Sequence, residues 1–279
     1  MKPIVLESIN PGSICILGIP FDAHSSYRRG PALAPARIRE SYFSPASNLW
    51  TEQGIDLGSL DGLYDAGNLD CAEPAPAFDT IIQAVDRLLE QDARVISLGG
   101  DHSITYPILK AHARKYPQIN ILHLDAHPDL YDSLDNNPLS HACPFARIME
   151  NNLAKRMVQA GIRTMNGHQR DQADRLGVEV MEMKNQENWL ETLCFDGPVY
   201  LSLDMDCLDP AFAPGVSHHE PGGMTTRQVI DIIHRLKGRI IGADIVEYNP
   251  DRDVHAVTAM TAAKLLKEII GRIFMDQKP

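Results

Sequence analysis

The chain is predicted to be an α/β protein built on a mostly parallel sheet with helices on both faces. Short, continuous apolar segments alternate with longer segments that carry an apolar stripe at helical spacing. Polar residues of the kind that bind metals follow three of the apolar segments directly. In a sheet of this kind ligands bind at the carboxyl ends of the strands, so fold and site predictions agree.

Each element has its own signal in the sequence. Residues 13–20 are a continuous apolar run typical of a strand covered on both faces. Residues 34–40 begin with Pro near a helix start, and residues 77–91 carry an apolar helical stripe. Further strands are predicted at 63–66, 94–98, 119–125, 156–162, 178–182, 199–204 and 239–245, and further helices at 103–115, 142–152, 168–176, 186–194, 225–237 and 255–273.

Length and composition indicate how many domains the chain forms, which partners it binds and where it is located. The sequence has neither an internal repeat nor a low-complexity linker, so residues 1–279 are expected to form a single domain. A net charge of -11 argues against nucleic-acid binding and is compatible with a small cationic substrate. No apolar run approaches the roughly 18 residues that span a bilayer, so no membrane association is expected. The first residues lack targeting features, which predicts a cytoplasmic location.

Three predicted strand ends carry candidate metal ligands. Within two of them the polar residues occur at every second position, so on an extended chain their side chains point to the same side. In the third, a histidine follows a glycine turn. The candidates are Asp125, His127 and Asp129 after the run 119–124, Asp204 and Asp206 after the run 199–203, and His102 after the run 94–98.

These four carboxylates and two imidazoles predict a site for two divalent ions. Without cations, clustered carboxylates repel one another, and two divalent ions balance their charge. Oxygen-rich ligands with a minority of imidazole suit Mn²⁺ better than zinc, while Ni²⁺, Co²⁺ and Fe²⁺ stay open. Two ions about 3.5–4 Å apart lower the pKa of a water between them from about 15.7 towards neutrality. The chemistry expected is hydrolysis at an electrophilic carbon or phosphorus.

The blocks around these residues resemble the ureohydrolase family of arginases and agmatinases. The resemblance implies a three-layer α-β-α sandwich around a mostly parallel eight-stranded sheet, homo-trimers or homo-hexamers, and a role in arginine metabolism or polyamine biosynthesis. It covers nearly the whole chain and is strongest with plant-type arginases. The matching blocks are 99–103, 125–129 and 202–210 at the metal ligands, 26–31 and 243–250 elsewhere, and 140–142, 145–150 and 213–223 for the plant type.

The resemblance also implies a role for each site residue. Glu247 matches the glutamate that binds the guanidinium, and His141 matches the histidine that protonates the leaving amine, which yields urea and an amine. The metal ligands divide into Asp125 and Asp204 as bridges between two Mn²⁺ ions, His102 and Asp129 on one ion, and His127 and Asp206 on the other.

The substrate is left open between several guanidino compounds. Residues 130–133 replace an Asn-containing segment that in animal-type arginases clamps the amino-acid head, and this removes one reason to expect arginine. We therefore rank agmatine before arginine, followed by guanidinobutyrate, guanidinopropionate, guanidine and formiminoglutamate. His218 and His219 lie in a loop expected at the pocket mouth, where they either contact a carboxylate tail or are simply exposed.

Two other classes of function are weighed. A catalytically silent metal-binding subunit is disfavoured because Glu247 and His141 are both present. A phosphoesterase is disfavoured because the sequence has neither a P-loop nor an Arg cluster. His123, on the same predicted face as Asp125, is assigned to the core and given no role.

Overall fold

The computed structural model describes residues 1–3, 9–71, 73–185 and 189–277. Within these residues all strands join one sheet: β1 (Lys2–Pro3), β2 (Ile14–Gly18), β3 (Leu63–Asn68), β4 (Arg94–Leu98), β5 (Asn120–Leu124), β6 (Arg156–Ile162), β7 (Glu179–Glu182), β8 (Cys194–Asp204) and β9 (Lys237–Val246). The order is β1-β3-β2-β4-β9-β8-β5-β6-β7, and all neighbouring strands are parallel. Because β1 is a two-residue edge strand, the prediction of an eight-stranded parallel sheet is confirmed.

Helices cover both faces of this sheet. They are α1 (Ala34–Tyr42), α2 (Pro74–Glu90), α3 (Thr105–Lys115), α4 (Pro144–Glu150), α5 (Gly167–Leu176), α6 (Trp189–Thr192), α7 (Thr226–Arg235) and α8 (Val257–Met275). Helices α1, α6, α7 and α8 pack on one face, and α2 to α5 pack on the other. The predicted three-layer α-β-α sandwich is confirmed.

Strand side chains alternate between two cores. In β2, Ile14 and Ile16 pack on the side of α8, whereas Cys15 and Leu17 pack on the side of α2. Successive side chains of a strand point to opposite faces, and here both faces are covered. This explains why the strands are continuous apolar runs rather than alternating ones.

Element boundaries differ from the prediction mostly near the strand ends. The helix predicted at 103–115 begins at Thr105, because His102–Ile104 form a 3₁₀ turn that the Asp101 side chain caps. Strand β8 begins at Cys194 rather than at 199, since Cys194 already pairs with Lys237 of β9. The helix predicted at 186–194 corresponds to α6, and residues 186–188 lie outside the described residues.

Four adjacent strands, β4, β9, β8 and β5, end side by side in the middle of the sheet. His102 follows β4, Glu247 follows β9, Asp204 ends β8 and Asp125 follows β5. The carboxyl edge of the sheet therefore gathers the predicted site residues from four separate segments. No helix in the described ranges is long and apolar enough to cross a membrane.

Candidate metal centre

His102 faces three carboxylates at the carboxyl edge of the sheet. Its Nδ1 lies 3.2 Å from Asp125 Oδ2, 3.1 Å from Asp129 Oδ2 and 3.2 Å from Asp204 Oδ2. Both His102 and Asp125 are fully buried. Buried anionic oxygens that face one another are stable only with positive charge among them.

Hydrogen bonds on the far side of the His102 ring fix its tautomer. Ser202 Oγ donates its only hydrogen to Asp244 Oδ1 at 2.7 Å, so it accepts from His102 Nε2 at 3.0 Å. In the neutral ring the lone pair therefore lies on Nδ1, which has no hydrogen-bond partner within the described part of the chain. A buried imidazole lone pair aimed at carboxylate oxygens is suited to a metal ion.

His127 faces a second pair of carboxylates. Its Nδ1 lies 3.4 Å from Asp125 Oδ1 and 3.0 Å from Asp206 Oδ2. Ligand atoms of these three residues lie within 4.8 Å of one another, close enough to hold one ion. Asp125 thus presents Oδ2 to the His102 side and Oδ1 to the His127 side, as a bridging carboxylate does.

Crowding of the carboxylates affects the pKa of Asp204. Burial and the charges of Asp206 and Asp125 raise the pKa of Asp204 well above its usual range. Two divalent ions would place four positive charges against four carboxylates and remove this repulsion. The donor set therefore fits a pair of divalent ions.

The six candidate ligands come together in the structure. Alternation of side chains along an extended strand, however, does not explain how they do so. Strand β5 ends at Leu124, and Asp129 has a left-handed backbone with φ of 50°. Asp206 lies in the 3₁₀ turn Met205–Cys207 rather than on a strand. Turns after the strands, and not side-chain alternation, bring these carboxylates to His102 and His127.

His123 contacts the centre, which its assignment to the core did not anticipate. Gln159 Nε2 donates to Pro128 O at 2.6 Å and to His123 Nδ1 at 3.0 Å. The His123 proton therefore sits on Nε2, which donates to Asp125 Oδ2 at 2.7 Å. His123 orients Asp125, and its position two residues before Asp125 on the same strand face is the sequence signal for that contact.

A buried imidazole-carboxylate pair lies beside the metal-type residues. His141 Nδ1 lies 2.7 Å from Glu247 Oε1, which also accepts from His102 N at 2.9 Å. Burial lowers the pKa of His141, but the charge and hydrogen bond of Glu247 outweigh it and raise the pKa to about 9. Glu247 has φ of 61°, a left-handed conformation that is uncommon outside glycine and is concentrated at functional sites.

One cavity of about 160 Å³ opens onto both groups of residues. Its wall includes His218, whose ring centroid lies 5.4 Å from that of His141. His219 is exposed, its Nε2 lies 2.7 Å from Pro214 O, and it is not part of the wall. Other wall residues are Ser26, Tyr131, Leu134, Thr164 and Gln169.

Arg163, which carries no recognisable sequence signal, holds the loop that follows β8. Its Nη2 donates to the carbonyl oxygens of Asp206 at 2.6 Å, Leu208 at 3.3 Å and Glu220 at 2.6 Å. These bonds tie both the start and the far end of this loop to the end of β6. Hydrogen bonds from Arg163 therefore fix the position of this loop.

Comparison with known proteins places the chain in one family. The model of the Arginase family matches residues 12–271. Arginase 1, mitochondrial, of Oryza sativa subsp. indica is 45% identical over 277 residues, which cover 94% of this chain and 82% of that protein. The agmatinase of Bacillus cereus is 33% identical over 275 residues, with 94% and 92% covered. A solved structure, arginase from Medicago truncatula, has a TM-score of 0.89 at 39% identity and covers 95% of this chain and 88% of its own.

These relatives confirm the resemblance to arginases and agmatinases, and they correct one expectation. The similar arginases of rice, Arabidopsis thaliana and M. truncatula are named mitochondrial, so the prediction of a cytoplasmic location is wrong. The match to the family model, the shared sequence and the shared fold together show that the chain belongs to the arginase family, whose members are hydrolases that act on guanidino compounds.

Proposed function

We propose that the protein hydrolyses the guanidino group of L-arginine to release urea, with agmatine as the second candidate. The main support is Glu247 Oε2, which is buried and has no hydrogen-bond partner in the described ranges, although Glu247 borders the cavity. Burial raises the pKa of Glu247, but the charge of His141 outweighs this and lowers it, so the carboxylate is ionised. A free, ionised carboxylate oxygen suits a cationic donor such as a guanidinium.

We infer that the six metal-type residues hold two Mn²⁺ ions per chain. Asp125 and Asp204 would bridge the ions, with His102 and Asp129 completing one set of ligands and His127 and Asp206 the other. The oxygen-rich donor set is the reason for Mn²⁺ rather than zinc. When bound, the two ions supply an activated water for attack on the guanidino carbon.

The protein's own residues orient the substrate and provide the proton. A guanidinium is a poor electrophile because its charge is spread over three nitrogens, so the reaction depends on positioning and on protonation of the departing amine. Glu247 binds the guanidinium through charge-assisted hydrogen bonds. Glu247 raises the pKa of His141 to about 9, which favours the protonated ring at neutral pH, and His141 supplies the proton.

We rank arginine above agmatine because the relatives named arginase are more similar to this chain in sequence. Those named arginase reach 45% identity, whereas those named agmatinase reach 33%. The segment 130–133, which argued for agmatine, also departs from the animal type in plant-type arginases. We propose that His218, which lines the cavity, contacts the substrate tail, and that exposed His219 does not.

Urea release from a panel of substrates tests the proposal. The Mn²⁺-loaded protein should show its highest kcat/KM on arginine among arginine, agmatine, guanidinobutyrate and guanidine. Glu247→Gln should lower kcat/KM by about 100-fold, the loss of one charge-assisted bond. Exposed Glu40→Gln is the matched control.

Other results would reassign the protein. A higher kcat/KM on agmatine would exchange the two candidates. Formamide release from formiminoglutamate would place the protein with the amidine hydrolases that produce no urea. Two bound metals without turnover of any substrate would support the silent-subunit hypothesis.

We further propose that residues 1–279 act as one domain and that the chain forms homo-trimers or homo-hexamers. The single sheet and the family match over residues 12–271 support the first point. The family resemblance supports the second, and large apolar side chains such as Phe43 and Trp50, each 52% exposed, are available for contacts between chains. Analytical ultracentrifugation measures the assembly directly.

A further inference from the structure

Both ring nitrogens of His141 are already engaged by the protein. Nδ1 lies 2.7 Å from Glu247 Oε1. Nε2 lies 2.8 Å from Ser26 Oγ and 3.1 Å from the Ser26 backbone nitrogen. A proton on Nε2 is therefore shared with Ser26 Oγ, since Ser26 contacts the ring nitrogen that is not paired with Glu247.

Ser26 and His141 both border the cavity, and Ser26 is the more exposed of the two. His141 is only 7% exposed, whereas Ser26 is an exposed residue of the cavity wall. A serine hydroxyl can accept a proton from one partner while donating its own to another. The Ser26 hydroxyl is therefore the group through which a proton on Nε2 reaches the cavity.

The segment that carries Ser26 is fixed two residues before it, by both backbone groups of His24. The His24 backbone nitrogen donates to Asp101 Oδ2 at 2.9 Å, and the His24 carbonyl accepts from the His141 backbone nitrogen at 3.2 Å. Fully buried Asp101 also caps the turn that carries His102. The Ser26–His141 contact is thus part of the same framework as the candidate metal centre.

We propose that Ser26 is a catalytic residue whose hydroxyl carries the proton from His141 to the leaving amine, a role that rests on the proposed function. As the guanidino C–N bond breaks, its electron pair stays on the amine nitrogen. The Ser26 hydroxyl proton moves to that nitrogen, and the Nε2 proton of His141 moves to Ser26 Oγ. Ser26 ends as a hydroxyl and His141 as a neutral imidazole, which regains its proton from water.

The Ser26 backbone supports this direction of transfer. Its N–H group, 3.1 Å from Nε2, disfavours a proton on that atom and stabilises the bare nitrogen left after transfer. Glu247 acts in the opposite sense and stabilises the charged ring. The protein thus supplies one partner for the charged ring, Glu247, and one for the neutral ring, the Ser26 N–H group.

Three variants test the role of Ser26. Ser26→Ala should lower kcat by about 100-fold, the usual contribution of a positioned acid, and change KM by less than about twofold. Ser26→Thr keeps a hydroxyl and should restore most of kcat. Ser25→Ala, on the neighbouring hydroxyl that contacts Asp101 instead, is the matched control. Metal content measured on each variant shows whether the site has stayed intact.

The solvent deuterium isotope effect separates a relay from a structural role. Wild-type protein should give a curved proton inventory on kcat, because two protons move together, and Ser26→Ala should give a straight one. A Ser26→Ala kcat within twofold of wild type, or a lowered kcat with an unchanged inventory, overturns the relay. Wild-type protein that releases no urea from any substrate would instead refute the proposed function, and the relay with it.

Discussion

The two sides of the candidate metal centre share Asp125 but differ in their surroundings. On the inner side, fully buried His102 faces three carboxylates, and Ser202 and Asp244 fix its ring from behind. On the outer side, the His127 side chain is 24% exposed and faces two carboxylates. Less access of water should hold an ion more tightly, so the inner site is expected to be the stronger one.

The largest effect is expected where the two sides meet. Asp125→Ala removes a carboxylate from both sides and should abolish binding of both ions, with kcat lower by at least about 1000-fold. Elemental analysis and urea release measure the two effects. Asp61→Ala, which alters a 97% exposed carboxylate away from the cavity, is the control. Retention of one ion by Asp125→Ala would mean that the sides do not share this residue.

A smaller effect is expected when one side alone is altered. Asp129→Ala should lose the inner ion, and His127→Ala the outer ion, each with kcat lower by about 100-fold or more. Electron paramagnetic resonance of bound Mn²⁺ should then report an isolated ion in place of a coupled pair. If Asp129→Ala keeps two ions and full turnover, Asp129 is not a ligand.

The order of metal removal is a more direct comparison. A chelator in excess should extract the outer ion at least about tenfold faster than the inner one, because water reaches His127 and not His102. Stopped-flow detection should show two phases in wild type, only the slow phase in His127→Ala and only the fast phase in Asp129→Ala. Equal rates would remove the proposed difference between the sides.

The smallest effect is expected for Gln159 and His123, the two residues that orient the proposed bridging carboxylate of Asp125. Gln159→Leu removes the donor that fixes the His123 tautomer, so it should weaken the binding of both ions by about tenfold. Calorimetric titration of metal measures this. His112→Asn alters another fully buried histidine, bonded to Ile108 O, and should leave metal affinity unchanged. An unaffected Gln159→Leu would return His123 to a packing role alone.

The sequence predicted the metal-type residues at the strand ends better than it predicted the residues that line the cavity around them. Ligands directly follow apolar strands, and parallel strands must end at one edge, so local patterns were enough for the fold and for candidates such as His102 and Asp125. Ser26 meets His141 across 115 residues, and neither spacing nor composition encodes that contact. The left-handed backbone of Asp129 is likewise not encoded by strand alternation, although alternation did pick out residues that the fold brings together.

The hydrogen bonds from Arg163 to the loop after β8 have a consequence for substrate selectivity. Because the start and the far end of that loop are anchored to the sheet, we expect the pocket mouth to keep its shape when a substrate binds. Discrimination among guanidino compounds then depends on how each tail fits a rigid frame, rather than on closure around the preferred one. Release of urea would likewise require no movement of this loop.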